Sequence, residues 1–174
     1  KELIDNTLYT ALNIEVEADS VGKVFTLTSL INHENINTDE VVRVRNFTLE
    51  GSGNRGNPIL TINNQEMDMA RIDEVVRLNE LEIWKITNNM GMNHNFHIHA
   101  THFKPYKRYN SDNKEYSIAP NENGYKDCIH IPPNESVELL VKMIDYTDSN
   151  GKYMYHCHFL EHEDAGMMGQ FVVI

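Results

Sequence analysis

Apolar residues in this chain arrive in short β-branched runs and never as a stripe of helical length. The runs are "VFTLTSLI" at 24–31, "VVRVRNFTLE" at 41–50, "PILTI" at 58–62 and "VVRLNELEIWKIT" at 75–87, followed by "FHIHATHFKPY", "CIHI", "SVELLVKMI", "KYMYHCHF" and "QFVVI". Val, Ile, Thr and aromatic side chains suit a pleated, half-buried surface, so these segments are predicted as strands. Between them lie "GSGNRGNP" (51–58), "PNENG" (120–124), "PPNES" (132–136) and "DSNG" (148–151), whose Gly, Pro and Asn residues supply turn conformations. Many short strands divided by such turns imply an all-β fold, an antiparallel sandwich or barrel. No internal repeat is visible.

With 174 residues the chain has the size of one domain plus a connecting segment. The polar, mixed opening "KELIDNTLYTALNIEVEADS" has no strand partner nearby, so residues 1–35 read as an interdomain linker or the end of a preceding domain, and 36–174 as one domain. The absence of a starting Met and the final apolar strand "GQFVVI" suggest a piece of something longer, with the last strand closing the fold. Fifteen Lys+Arg against 26 Asp+Glu give a formal charge of −11. That charge opposes phosphate backbones and anionic membrane surfaces, so nucleic acid is not an expected partner. No stretch approaches the roughly 20 apolar residues needed to cross a bilayer, so no membrane insertion is expected. Cys128 and Cys157 are too few to make a disulfide framework or to reveal a compartment.

Seven of the nine histidines crowd into two motifs: His94, His97, His99 and His102 in "HNFHIHATHF", and His156, His158 and His162 in "YHCHFLEHEDAGMM". On a strand, alternate side chains share a face, so His97 and His99 point together and Ile98 points away. The same period puts His156 and His158 on one side and Cys157 on the other. Two pairs of imidazoles can then converge from two strands, with a thiolate back to back with one pair, an arrangement for two metal sites. On the cysteine side, a thiolate, two imidazoles and a weak thioether form the ligand set of a blue-copper centre. Cys157, His162 and Met167 supply three of these, and His94 the second imidazole. Zinc asks for four strong ligands, commonly with a Cys-x-x-Cys pair, which is missing. A cysteine nucleophile needs one neighbouring His and leaves the other imidazoles unexplained.

The motifs "HNFHIHATHF" and "HCHFLEHEDAGMM" resemble the two copper-binding motifs of the last domain of multicopper oxidases, the family of laccases, bilirubin oxidases and bacterial cuprous oxidases. The stretch "TINNQEMDMARIDEVVRLNELEIWKITNNMGMNHNFHIH" also resembles the cuprous-oxidase and spore-coat-laccase branch. Asn95 stands where the family usually has proline. Together with the short strands and the motifs at strand ends, the resemblance implies a Greek-key β-sandwich of the cupredoxin type. It further implies that His94, Cys157, His162 and axial Met167 bind a type 1 copper that takes single electrons from a reducing substrate. His97 would bind the type 2 copper, and His99, His156 and His158 the type 3 pair. These three coppers form the trinuclear cluster that reduces dioxygen to water. Adjacency of Cys157 to His156 and His158 would give electrons a short covalent path. Related bacterial enzymes carry an acid at the position of Glu163, thought to relay protons; a surface carboxylate is the alternative.

A trinuclear cluster of this family takes eight histidines, and this sequence offers four in position. The resemblance assigns the other four to the first domain, so the implied partners are N-terminal domains of the same enzyme, a small reducing substrate such as a phenol or Cu(I), and O2. The rival reading, a stand-alone type 1 electron-transfer cupredoxin, leaves His97, His99, His156 and His158 unused. A periplasmic or extracellular location is what the family suggests, with the cytoplasm as the alternative. Outside the ligand spacing, His102 and His130 read as strand residues with ordinary hydrogen bonds, His33 as a loop residue, Cys128 as a buried small hydrophobe and Trp84 as core. Met90, Met92 and Met168 read as gap-fillers, with an accessory Cu(I) site as the second reading.

Overall fold

Strand pairing converts the alternation of the sequence into two sheets. The computed structural model describes residues 36–54 and 57–174, with Leu12, Asn13 and Glu15 from the segment before them. Backbone contacts group residues 34–174 as one unit, separate from 1–33, and that unit is the one described. The strand expected at 24–31 lies outside the described residues, and so, those three positions apart, does the linker reading of 1–35.

In chain order the strands are β1 (Val41–Asn54), β2 (Asn57–Ile62), β3 (Glu74–Val76), β4 (Leu81–Asn88), β5 (His94–Ile98), β6 (Phe103–Tyr109), β7 (Glu115–Tyr116), β8 (Cys128–Ile131), β9 (Ser136–Lys142), β10 (Asp148–Cys157) and β11 (Met168–Val173). One helix, α1 (Leu160–Asp164), follows β10. A six-stranded sheet runs β2-β1-β4-β9-β6-β7 and a five-stranded sheet runs β3-β11-β10-β5-β8. The all-β sandwich is therefore as expected, with one correction: it is not wholly antiparallel. β1 pairs parallel with β4, and β3 parallel with β11. Parallel neighbours need a crossover between them, and these crossovers run from one sheet to the other.

Two apolar runs that read as single strands are each broken. The run 75–87 splits into β3 and β4, which lie in different sheets, with Asn79 at φ 64° in the bend. The run 96–106 splits into β5 and β6, with Ala100 at φ 66° in the corner. Conversely, "DSNG" does not interrupt the chain as a turn but belongs to β10, whose pairing with β11 shifts register between Asp148 and Tyr153.

The core is the space between the sheets. Phe47 and Trp84 descend from the six-stranded sheet to meet Phe96, Tyr155 and Phe171 of the other, with ring centroids 4.8 Å apart for Phe47 and Trp84 and 5.0 Å for Phe47 and Tyr155. Trp84 is fully buried, as expected, and truncating such a ring to alanine costs about 3–5 kcal/mol. Its indole N–H donates to Glu82 Oε2 at 3.0 Å. Glu82, itself buried, takes Arg45 in a fork with distances of 2.5 and 2.9 Å, and Arg45 also reaches Glu74 and the Val75 carbonyl. This cluster ties β1 and β4 of one sheet to β3 of the other. On β10 and β11, Tyr155 faces Gly169, and a Cβ placed there would lie 2.4 Å from the tyrosine hydroxyl oxygen.

Candidate metal centre

β5 and β10 are hydrogen-bonded neighbours in the middle of the five-stranded sheet, and their register decides which side chains meet. His97 lies opposite His156, and Cys157 opposite Phe96. Burial along β5 alternates: His94, Phe96 and Ile98 are buried, while Asn95 and His97 are half-buried. Hence His94 and Cys157 share the core side of the sheet, and His97, His99 and His156 share the outer side.

On the core side, Cys157 Sγ lies 3.5 Å from His94 Nδ1 and 3.4 Å from His162 Nδ1, and the two imidazole nitrogens are 3.1 Å apart. His162 arrives from α1, the single turn that folds the chain back beneath Cys157. The three atoms form a near-regular triangle. A point equidistant from them is about 1.9 Å from each, close to the roughly 2.0–2.1 Å of metal–imidazole bonds and somewhat inside the roughly 2.3 Å of a metal–thiolate bond. The donor set thus fits a metal ion, and one thiolate with two imidazoles in trigonal array fits copper.

Electrostatics keep the nitrogen lone pairs free. Burial, reinforced by the neighbouring His162, lowers the pKa of His94 to about 4, and burial also lowers that of His162. Burial pushes the Cys157 thiol up, while the backbone N–H groups of Phe159 and Asn95 act on the sulfur in the opposite sense. Asn95 can do so because it is not proline. Met167 is fully buried; its carbonyl accepts from the Cys157 N–H and its N–H donates to the His162 carbonyl, both at 3.1 Å.

On the outer side, His97, His99 and His156 offer ligand atoms that all lie within 4.8 Å of one another. His99 Nε2 and His156 Nε2 approach to 3.3 Å. Two of the rings are oriented from behind: His97 Nδ1 lies 2.7 Å from the Asp127 carbonyl oxygen, and His156 Nδ1 lies 3.0 Å from that of Cys157. A ring nitrogen that donates to a carbonyl leaves the opposite nitrogen unprotonated and available to a metal. Burial, then His156 and His97, lower the pKa of His99. His158 is exposed and outside this tight group, with its ring centroid 5.2 Å from His97 and 5.5 Å from His156. Glu163 is half-buried, and its Oε2 stands 3.5 Å from His156 Nδ1.

Cys128 corrects the sequence reading. It is half-buried, not core, and sits directly opposite His97 on β8, on the histidine face. His130 makes an ordinary hydrogen bond, 2.9 Å to Asn93 Oδ1, and His102 is exposed at a cavity of about 740 Å³ away from both groups. His33 lies outside the described residues. Met90 packs against the core, as a gap-filler would. Spacing did not point to the supporting groups: the Asp127 carbonyl, the Asn95 N–H, and Asn88, which lies on the same face of β4 as Glu82, Trp84 and Ile86. That inward phase was the one available signal, marking Asn88 as a buried polar residue.

These two groups on this sandwich are suited to holding metal ions, and comparison with known proteins specifies the family. Residues 16–174 match the multicopper oxidase family model. The chain is 38% identical over 152 residues to the multicopper oxidase mco of Staphylococcus aureus, covering 83% of this chain and 31% of that protein. It is 33% identical over 144 residues to a laccase of Bacillus stratosphericus, covering 75% and 28% respectively. Among solved structures, the laccase-like multi-copper oxidase CueO from Ochrobactrum sp. superposes with a TM-score of 0.75 at 29% identity, over 91% of this chain and 36% of that one. The chain belongs to the multicopper oxidase family, and it spans about a third of the length of these relatives.

Proposed function

We propose that residues 36–174 are the C-terminal cupredoxin domain of a laccase-like multicopper oxidase, carrying a complete type 1 copper site and half of a trinuclear site. His94, Cys157 and His162, with Met167 as a weak fourth ligand, would hold the type 1 copper; His97 would hold the type 2 copper, and His99, His156 and His158 the type 3 pair. Copper bound there would supply one-electron oxidation of a phenol, another aromatic reductant or Cu(I) at the first site, and reduction of O2 to water at the second. The observation that carries this reading is that consecutive residues of β10 serve opposite faces, Cys157 with His94 and His162, His156 with His97 and His99.

The positions of several side chains support these roles. Cys157 and His156 are covalent neighbours, and the 3.0 Å contact from His156 Nδ1 to the Cys157 carbonyl adds a hydrogen-bonded shortcut, so this strand would offer electrons a short route between the sites. Glu163, 3.5 Å from His156 Nδ1, is positioned to hold and release a proton beside the outer site. The missing imidazoles would come from N-terminal domains of the same enzyme, a reading supported by the share of its relatives that this chain spans. A solitary electron-transfer cupredoxin would have no use for the outer-face histidines.

Copper content measured beside oxygen uptake tests the reading. The 174-residue chain alone is expected to bind a single copper, at Cys157, and to consume no O2 with dimethoxyphenol or Cu(I). Joined to the rest of the enzyme, it is expected to gain the full copper complement and turnover. Oxidase activity of the verified isolated chain would refute the shared-site assignment.

A further inference from the structure

The imidazoles of the two groups are held in different ways. His97 and His156 each have a ring nitrogen against a carbonyl oxygen. His94 has no such anchor: its ring is wholly buried, and Nε2 has no hydrogen-bond partner among the described residues. Its orientation must therefore come from packing and from where the main chain enters β5. That entry is the loop 89–93, which is tied down by one buried side chain.

Asn88, the last residue of β4, is fully buried. Its Oδ1 accepts from the Met90 N–H at 2.9 Å, fixing the start of the loop. Its Nδ2 donates to the Met92 carbonyl at 2.8 Å, two residues before His94, fixing the end. The same Nδ2 group reaches the carbonyls of Pro132 at 2.9 Å and Ile131 at 3.2 Å. Ile131 is the β8 residue paired with His94 itself. One amide thus holds both ends of the entry loop and the neighbouring strand at the level of His94. A carboxylate cannot donate to those carbonyls and an apolar side chain can do neither job, so the amide is specified by the site.

We propose that Asn88 is the positioning residue of the Cys157 centre, supplying through the backbone the orientation that His94 lacks a direct partner to provide. The proposal rests on the reading that this centre binds copper. Asn88 touches neither copper nor substrate. Outer partners of ligating histidines are worth about 10- to 100-fold in metal affinity, and an indirect anchor for His94 is expected to fall in that range.

The test is Asn88→Asp in the copper-loaded full enzyme; it preserves shape and the Oδ1 acceptor but removes the donors. Expected results are unchanged copper content at the histidine face, a shifted thiolate-to-copper absorption band and type 1 reduction potential, and a tenfold or greater loss of Cu(I) affinity at Cys157 in competition with bicinchoninate. If the aspartate variant does not fold, Asn88→Ser retains one donor and one acceptor in less volume and is expected to give the same shifts to a smaller degree. A folded variant with an unshifted band and a Cu(I) affinity within twofold of the parent overturns the proposal. A parent enzyme with no thiolate band would instead refute the copper reading.

Discussion

The core-side and outer-side groups both draw on β5 and β10, yet they differ in how far the domain encloses them. The Cys157 centre is walled in by the sandwich: Cys157 and His94 are buried, Met167 is fully enclosed, and three ligand atoms already form a triangle of metal size. The histidine face lies outside the sheet, its His158 exposed and its His97 and His99 only half-buried. A domain can complete a small site inside its own core, where packing fixes every side chain. A site on its outer face lacks that enclosure.

The largest expected effect separates the two at once. Cys157→Ser in the full enzyme should abolish the blue thiolate absorption completely and stop substrate oxidation, while copper remains at the histidine face; optical spectra and metal analysis check both. Surviving blue colour would move the type 1 site elsewhere. Glu163→Gln should do the reverse, leaving the colour untouched and slowing O2 reduction about 100-fold, with a changed pH profile of kcat. An unaltered profile would reduce Glu163 to a surface carboxylate.

The third contrast concerns acid. In the copper-free protein His94 titrates at about 4, against roughly 6.5 in an unfolded chain. Between those pH values the unfolded state binds a proton that folded His94 refuses, so stability falls as pH falls through this window. The loss amounts to at most about 3 kcal/mol. His94→Gln should flatten that slope in denaturant titrations, and His99→Gln, at a half-buried position, should flatten it less. The smallest effect lies in the corner after the outer histidines. Ala100 sits at φ 66°, a conformation that disfavours any side chain, so Ala100→Gly should stabilise the fold by about 0.5–1 kcal/mol without altering the colour.

How much of this the sequence disclosed follows the range of the interactions involved. Strand alternation is local, and it correctly set His97 and His99 apart from Ile98, and His156 apart from Cys157. Pairing between distant strands is not local. Nothing in the run 75–87 says that β3 and β4 join different sheets, or that β1 and β4 run parallel. Cys128 was misread for the same reason: its place on the histidine face is fixed by the β5–β8 register, not by its neighbours in "YKDCIHI". The buried Arg45, Glu82 and Glu74 cluster joins residues far apart in the chain, and removing one partner there would cost about 3–5 kcal/mol. Ligand-type residues declare themselves by chemistry, whereas the groups that hold them do not: the Asp127 carbonyl emerges only in three dimensions, and Asn88 shows beforehand only as an inward-facing polar residue.

Gly169 carries a consequence beyond packing. Because successive residues of β10 face opposite ways, a slip of one position against β11 would turn the thiol outward and drive two imidazoles into the apolar interior. Tyr155 resists that slip, since its ring lies where Gly169 has no side chain, and either neighbour, Met168 or Gln170, would obstruct it. The missing methyl therefore acts as a key that keeps the soft thiol on one face of the sheet and the imidazoles on the other. The separation of one thiol from two imidazoles is thus a problem of strand alignment, met by one glycine and one tyrosine.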